Sequence, residues 1–233
     1  MRYLGGKNRL GKEISQVLKE YGEKHKLKKY IEPFCGSLGV AIHMVDDYNV
    51  HVSDIQKDLI LLWKAIQNDT FKYPRNVSKR TWLIYKNSNE PSAIRAFIGF
   101  GCSFAGSWFA GYSNTFENRN YMKECKESII RKSKFIKKIK KIKHQSYEKW
   151  NPTNCLIYCD PPYSNTTSYK AVNKTFNNDK FWNKVREWSK NNIVIVSEYT
   201  APKDFKCIWK KKRVETAAPN NGKLKIEKLF ILR

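Results

Sequence analysis

An apolar run that stops at two prolines, "CLIYCDPPY" at residues 155–163, constrains this chain more than any other stretch. Proline has no backbone N–H for a sheet ladder, so a strand through this run must leave the sheet at Asp160. The run lacks polar alternation, as expected of a strand buried on both faces in a parallel, helix-covered sheet. Its surroundings repeat that design. "YIEPF" (30–34) reads as a strand, "CGSLGVAIHMVDD" as a glycine-bearing turn entering an apolar helix, and "VHVSD" (50–54) as a second strand. In "KDLILLWKAIQND" (57–69), Leu59, Leu62, Trp63 and Ile66 fall on one helical stripe. After 155–160 come a helix at 179–192 and a buried strand at 193–198. "FKCIWKKK" (205–212) and "KLKIEKLFIL" (223–232) alternate like closing antiparallel strands. The expectation is one α/β domain with a Rossmann-like, doubly wound sheet.

The rhythm breaks between residues 70 and 140. Ser78 and Ser92 stand at the starts of two helical patterns, where a side-chain oxygen can cap the helix. The aromatic stripe Trp82, Phe97 and Phe100 reads as core. "GFGCSFAGSWFAGYSNTF" (99–116) reads as a loop, with Trp108, Phe109 and Tyr112 as candidates to meet a ligand or shield a pocket. "ECKESIIRKSKFIKKIKKIK" (124–143) is a basic amphipathic helix ending in a short strand, its 131–143 part a solvated face or a phosphate-contact surface. Residues 70–140 are therefore read as a small, mostly helical insertion into a domain formed by 1–69 and 141–233.

Charge narrows the partners. Lys and Arg number 45 against 21 Asp and Glu, a net charge of +24 over 233 residues. Such an excess repels itself in a compact state and is best tolerated beside a polyanion, with nucleic acid ahead of an anionic membrane surface. The cysteines at 35, 102, 125, 155, 159 and 207 form no Cys-x-x-Cys pair and the four histidines are scattered, so no metal site is expected. No signal peptide opens the sequence and no apolar run approaches the roughly 20 residues of a membrane span, which implies reduced thiols and a cytoplasmic setting.

Ligands of open α/β sheets bind beyond the carboxyl ends of the strands, and three such ends carry informative residues. In "PFCGSLG", Gly36 and Gly39 permit a tight turn and a close backbone approach, though an ordinary strand-to-helix turn has the same look. Asp54 can accept hydrogen bonds from both hydroxyls of a ribose, or it can cap a helix. No Gly-x-Gly-x-x-Gly or Walker sequence is present, which argues against a dinucleotide and against nucleoside triphosphate hydrolysis. The third end is "DPPY". It can be a turn that ends a strand. It can also grip an exocyclic amine of a nucleobase, whose lone pair is delocalised into the ring. The Asp160 carboxylate and the Pro161 carbonyl would accept both amine hydrogens, Pro161 and Pro162 would stiffen the arrangement, and Tyr163 would stack on the base for roughly 1–3 kcal/mol.

These motifs, in this order, resemble those of the Dam-type (D12 class, alpha group) DNA adenine-N6 methyltransferases over most of the chain. "RYLGGK" (2–7) is similar to the family's N-terminal aromatic-x-Gly-Gly-Lys motif, which implies that Tyr3 and Lys7 contact S-adenosylmethionine (AdoMet). "EPFCGSLG" resembles its Glu-Pro-Phe-x-Gly-x-Gly turn, implying that Phe34 and Gly36 line the methionine part. Leu38 departs from it, standing where the second glycine is usual. "VSDIQKDLI" resembles the ribose-binding stretch and makes Asp54 the ribose acceptor. "DPPY" is the family's catalytic tetrapeptide, with Asp160 touching both cofactor and target amine. The insertion occupies the place of the target-recognition region, without visibly matching the segment that reads GATC.

The resemblance implies a monomeric, metal-independent, AdoMet-dependent enzyme that methylates the N6 amine of adenine in double-stranded DNA. It would act in the cytoplasm of a bacterium or of a phage- or virus-infected cell, with restriction-modification among its settings. Two alternatives stay open: an RNA base-amine methyltransferase acting on guanine N2, for example, and a basic DNA-binding protein with impaired catalysis.

Overall fold

The computed structural model describes residues 1–113, 115–116, 119–163, 176–214 and 224–233. Asn114 and Lys223, which fall in the stretches 99–116 and 223–232, lie outside the described residues. The strands are β1 (Lys29–Glu32), β2 (Asn49–Asp54), β3 (Thr115–Phe116), β4 (Arg119–Asn120), β5 (Lys141–His144), β6 (Leu156–Cys159), β7 (Ile193–Glu198), β8 (Phe205–Val214) and β9 (Leu224–Leu232). The helices are α1 (Gly11–Lys24), α2 (Lys57–Gln67), α3 (Lys79–Asn87), α4 (Ala93–Gly101), α5 (Tyr121–Ile136) and α6 (Asn178–Ser189).

Seven strands form one sheet in the order β5-β2-β1-β6-β7-β9-β8. The pairs from β5 to β7 are parallel. As expected, β9 and β8 close the sheet antiparallel. From β1 the chain winds outward to β2 and β5, and from β6 it winds the other way. The sheet is therefore doubly wound, and its switch point lies between β1 and β6, where a crevice opens at the carboxyl ends. Pro33 to Gly36 leave β1 at that crevice, and Asp160 leaves β6 beside them.

Strand alternation divides the core between the two faces of the sheet. Tyr30, Leu156 and Tyr158 point to one side, into a cluster with Ile14, Leu18, Trp63, Phe97 and Ile129. Ile31, Ile157 and Cys159 point to the other, against Phe181, Val185 and Trp188 of α6. The 70–140 region joins the first cluster through Trp82, Phe97, Phe100 and Ile136. Ser78 and Ser92 cap α3 and α4 as read, accepting hydrogen bonds from the Thr81 and Arg95 amides. All six cysteines are free thiols, and only Cys207 is exposed. Among the described residues no helix is long and apolar enough to cross a membrane.

One expected element is absent. The apolar helix read after the glycine turn is a series of turns holding a single 3₁₀ turn, Ala41–His43. Leu38 takes a left-handed conformation there (φ 58°), which a right-handed helix cannot contain. Helix α1, which the sequence reading passed over, packs against this 3₁₀ turn and the neighbouring strands β6 and β7. Gly11 lets it approach closely, because a Cβ there would lie 1.9 Å from the Gly39 carbonyl oxygen. Helical spacing of Ile14, Val17, Leu18 and Tyr21 was the signal for it.

Candidate active site

The turn after β1 and the acid that ends β2 form the first half of the site. Gly36 has a left-handed backbone (φ 43°), and its amide donates to Asp54 Oδ2 at 2.9 Å. Asp54 Oδ1 accepts the Gln56 amide at 2.9 Å, two residues on, and Gln56 is the N-cap of α2. Asp54 is thus not the helix cap. Burial pushes its carboxyl above the ordinary aspartate value, and the Gln56, Gly36 and Ile55 amides hold it back. The Gly36 carbonyl accepts from the Trp63 indole at 2.9 Å, which ties the turn to α2. Tyr3 lies over the turn: a Cβ on Gly36 would meet the tyrosine ring at 3.1 Å.

Leu38 carries the strain of the turn and also fills the core, with its side chain fully buried. A left-handed residue with a side chain costs roughly 1–2 kcal/mol, whereas emptying a buried leucine site costs roughly 2–5 kcal/mol. Leu38→Gly is therefore expected to lower stability by about 1–3 kcal/mol despite relieving the strain. Urea denaturation checks it, and a variant more stable than the parent would contradict the balance.

The second half gathers at the carboxyl end of β6. Lys7 Nζ lies 2.8 Å from Asp160 Oδ1 and 3.5 Å from Glu227 Oε1 of β9. The same ammonium sits 4.6 Å from the centre of the Tyr163 ring, a cation–π contact. The Tyr163 hydroxyl donates to Glu227, and Tyr199 packs perpendicular to the Tyr163 ring at 4.7 Å. Burial drives the Asp160 carboxyl upward; Lys7 opposes that shift and Glu227 adds to it. The Tyr163 hydroxyl is pushed well above the ordinary tyrosine value, first by burial and then by the two carboxylates.

The fold thus brings together Lys7, Asp160 and Tyr163 on one side of the crevice, and Tyr3, Gly36 and Asp54 on the other. Phe34 stands apart from Tyr3. Its ring stacks on Tyr147 at 5.2 Å and packs among Phe176 and Phe181 in the second core cluster, whereas Tyr3 packs with Phe100 against the first. The aromatic loop folds back on α4. Phe109 is buried, Trp108 rests on Phe100 and Phe109, and the Tyr112 hydroxyl donates to the Val77 carbonyl at 2.7 Å. Packing, with Gly99 leaving room for both Trp108 and Phe109, accounts for these three aromatics. Among the described residues the exposed ring of that loop is Phe104.

Three residues that the sequence reading missed complete the site. Glu227 is fully buried next to Lys7. Ile55, 65% exposed, follows Asp54 at the rim of the crevice. Lys132 belongs to the basic segment read as a solvated face, yet it is buried. Its ammonium donates to Asn8 Oδ1 at 2.5 Å and to the Ser37 carbonyl at 2.7 Å. Asn8 Nδ2 in turn donates to Ser37 Oγ at 3.0 Å. Burial lowers the Lys132 pKa to about 8, against the pull of Glu32. Glu32 is raised to about 8 by its own burial while accepting the Tyr30 hydroxyl at 2.6 Å. One buried lysine thus joins α5, the Lys7 segment and the glycine turn.

Two comparisons bear on this arrangement. Residues 3–92 match the family described as D12 class N6 adenine-specific DNA methyltransferase. That span holds Tyr3, Lys7, Phe34, Gly36 and Asp54, while Asp160 and Tyr163 lie beyond it. The chain is also similar to the type II methyltransferase M.MjaIII of Methanocaldococcus jannaschii, at 24% identity over 219 residues, covering 77% of this chain and 75% of that protein.

Proposed function

We propose that this chain, whose two matches support a DNA adenine methyltransferase function, moves a methyl group from AdoMet to the N6 amine of an adenine turned out of double-stranded DNA. The family implies AdoMet as methyl donor. The crevice fits such a molecule on its donor chemistry. The Asp54 carboxylate has about four lone-pair sites, accepts the Gly36, Gln56 and Ile55 amides, and keeps acceptor capacity for a ribose hydroxyl. Gly36, without a Cβ, lets Tyr3 lie directly against the turn. Exposed Ile55 offers an apolar face beside the ribose acid for the adenine ring of the donor. When bound, AdoMet supplies an electrophilic methyl group on a positively charged sulfur.

The chain's own residues prepare the amine. Asp160, 17% exposed on its side chain, accepts one amine hydrogen, and the Pro161 carbonyl accepts the other. With both hydrogens held, the lone pair is drawn out of ring conjugation and aimed at the methyl group. The bond from methyl to sulfur would break as the N–C bond forms, sulfur leaving as a neutral thioether and one amine hydrogen being released as a proton. The base must leave the stack to reach a strand end inside a crevice. Tyr163 is the partner for its face, and because Lys7 and Tyr199 crowd that ring, the base enters as one of them withdraws. The net charge of +24 supplies the attraction to DNA phosphates. One chain contributes Asp54, Asp160 and the turn, which supports action as a monomer, while the DNA methyltransferase match supports a cytoplasmic setting and the type II likeness a restriction partner.

The observation that carries the reading is the convergence of Lys7, Asp160 and Tyr163 at the switch point, next to Asp54 and the glycine turn. Labelled AdoMet is supplied with duplex DNA or with RNA, and the modified nucleoside is identified after digestion. N6-methyladenine from DNA is the expected product. Label confined to RNA, or no transfer while DNA still binds, would overturn the proposal.

A further inference from the structure

Resting on that reading of the site, we propose that Glu227 is its positioning residue: it anchors the Tyr163 hydroxyl and competes for the Lys7 ammonium, so that Asp160 keeps an oxygen for the target amine. The geometry sets out the competition. A single lysine faces two carboxylates, at 2.8 Å from Asp160 and 3.5 Å from Glu227. Were Asp160 the sole acceptor, the ammonium would stay on Oδ1, one of the two oxygens open to the adenine N6 hydrogens. Glu227 offers the lysine a second seat, to which it shifts as the amine arrives at Asp160.

The same carboxylate oxygen is built into a fixed frame. Glu227 Oε1 accepts the Tyr163 hydroxyl and the Ser197 hydroxyl, the latter at 3.2 Å. Ser197 is itself the acceptor for the Tyr158 hydroxyl at 3.0 Å. Tyr158 lies on β6, Ser197 on β7 and Glu227 on β9, so three adjacent strands register the Tyr163 ring against Asp160. Without that anchor the ring would rest on Tyr199 and Lys7, the groups that make way for the base, and misplacement of a stacked base by about 1 Å costs on the order of 10²-fold in rate.

Charge gives a readout that a purely structural role would not move. The groups facing Asp160 are Lys7 from the N-terminal segment, Glu32 from β1, Tyr158 and Cys159 from β6, Tyr163 just beyond it, and Glu227 from β9. Glu227 adds negative charge that disfavours ionised Asp160, so removing that charge lowers the Asp160 pKa. Activity that needs ionised Asp160 then persists to lower pH.

Glu227→Gln and Tyr163→Phe test this, each compared with the parent protein by kcat, by KM for duplex DNA and by the pH profile. Glu227→Gln keeps an oxygen for the hydroxyls and loses the charge. Its kcat is expected to fall on the order of tenfold, with KM for DNA within about threefold and the acid limb of the profile moved to lower pH. Tyr163→Phe keeps the ring, frees it from Glu227 and removes the hydroxyl's hydrogen bond to Asp160, so kcat falls on the same order while the acid limb moves the other way, to higher pH. A folded Glu227→Gln protein with parental kcat and an unmoved acid limb overturns the proposal. If circular dichroism shows Glu227→Gln unfolded, Tyr163→Phe decides, and parental turnover by it is equally fatal. A parent protein that makes no N6-methyladenine sinks the functional reading and this proposal together, whereas an active parent with indifferent variants sinks the proposal alone.

Discussion

Asp160→Ala is expected to abolish methyl transfer, the single-turnover rate falling by about 10³-fold or more, with DNA affinity within a few-fold of the parent protein. In the proposed mechanism Asp160 is the acceptor that draws the amine lone pair out of the ring, and without it the Pro161 carbonyl would hold only one hydrogen. The contact is needed in the transition state and contributes little to duplex binding, which rests on phosphates. The freed Lys7 has Glu227 at 3.5 Å, so the loss of Asp160 leaves no isolated buried cation and the fold should survive. Rapid-quench transfer from labelled AdoMet, beside a DNA-binding titration, separates the two effects. Parental transfer rates would remove Asp160 from the mechanism, and collapse of DNA binding would mean that it serves the surface more than the chemistry.

Lys132→Met is expected to have the largest effect on stability, a loss of roughly 2–4 kcal/mol, and to weaken AdoMet binding. Methionine matches the length of the stem but leaves Asn8 Oδ1 and the Ser37 carbonyl without the ammonium that joins them. Each buried acceptor so abandoned costs roughly 1–3 kcal/mol, partly offset because the burial of a charge is no longer needed. The binding effect follows from what is tied. Asn8 adjoins Lys7, and Ser37 sits in the turn beneath Tyr3. The sign with pH also follows. In the folded protein Lys132 titrates at about 8, below its ordinary value of 10.5. Between those values the unfolded chain holds the proton and the folded protein does not, so the lysine's contribution to stability grows as pH rises. The gap between parent and variant is thus expected to widen from pH 8 to pH 10 in denaturant titrations, and a constant gap would contradict a perturbed Lys132.

Asp160 was legible because its signal is local. Two prolines after an apolar strand announce a strand end, and a strand end in this kind of sheet is where a ligand goes. The same holds for Asp54 and for the caps Ser78 and Ser92. Lys132 and Glu227 were passed over because their charge suggested the surface, although the pattern around each pointed inward. Met122, Cys125, Ile129, Lys132 and Ile136 recur at spacings of three and four on α5, so the lysine occupies a core position of an otherwise apolar stripe. Glu227 lies two and four residues before Leu229 and Ile231, and on a strand those three share a face. A charged residue in phase with an apolar set was the available sign. Their partners could not be read in the same way, since Lys7 finds Asp160 153 positions further along the chain. The turn failed as a predicted helix because a left-handed leucine has no mark of its own in composition.

That long reach has a consequence for the birth of the protein. Residues 1–8 are synthesised well before α5, β6 and β9, yet Lys7, Asn8 and Tyr3 take their places only against those later elements or against a turn that they brace. At roughly 5–20 residues per second, translation keeps the lysine waiting on the order of ten seconds for Asp160, and longer for Glu227. A nascent chain can complete β1, β2 and the glycine turn during that interval while the amine-gripping side of the crevice does not yet exist. The site that holds Lys7 is therefore complete only after β9, the last strand made, takes its place between β7 and β8.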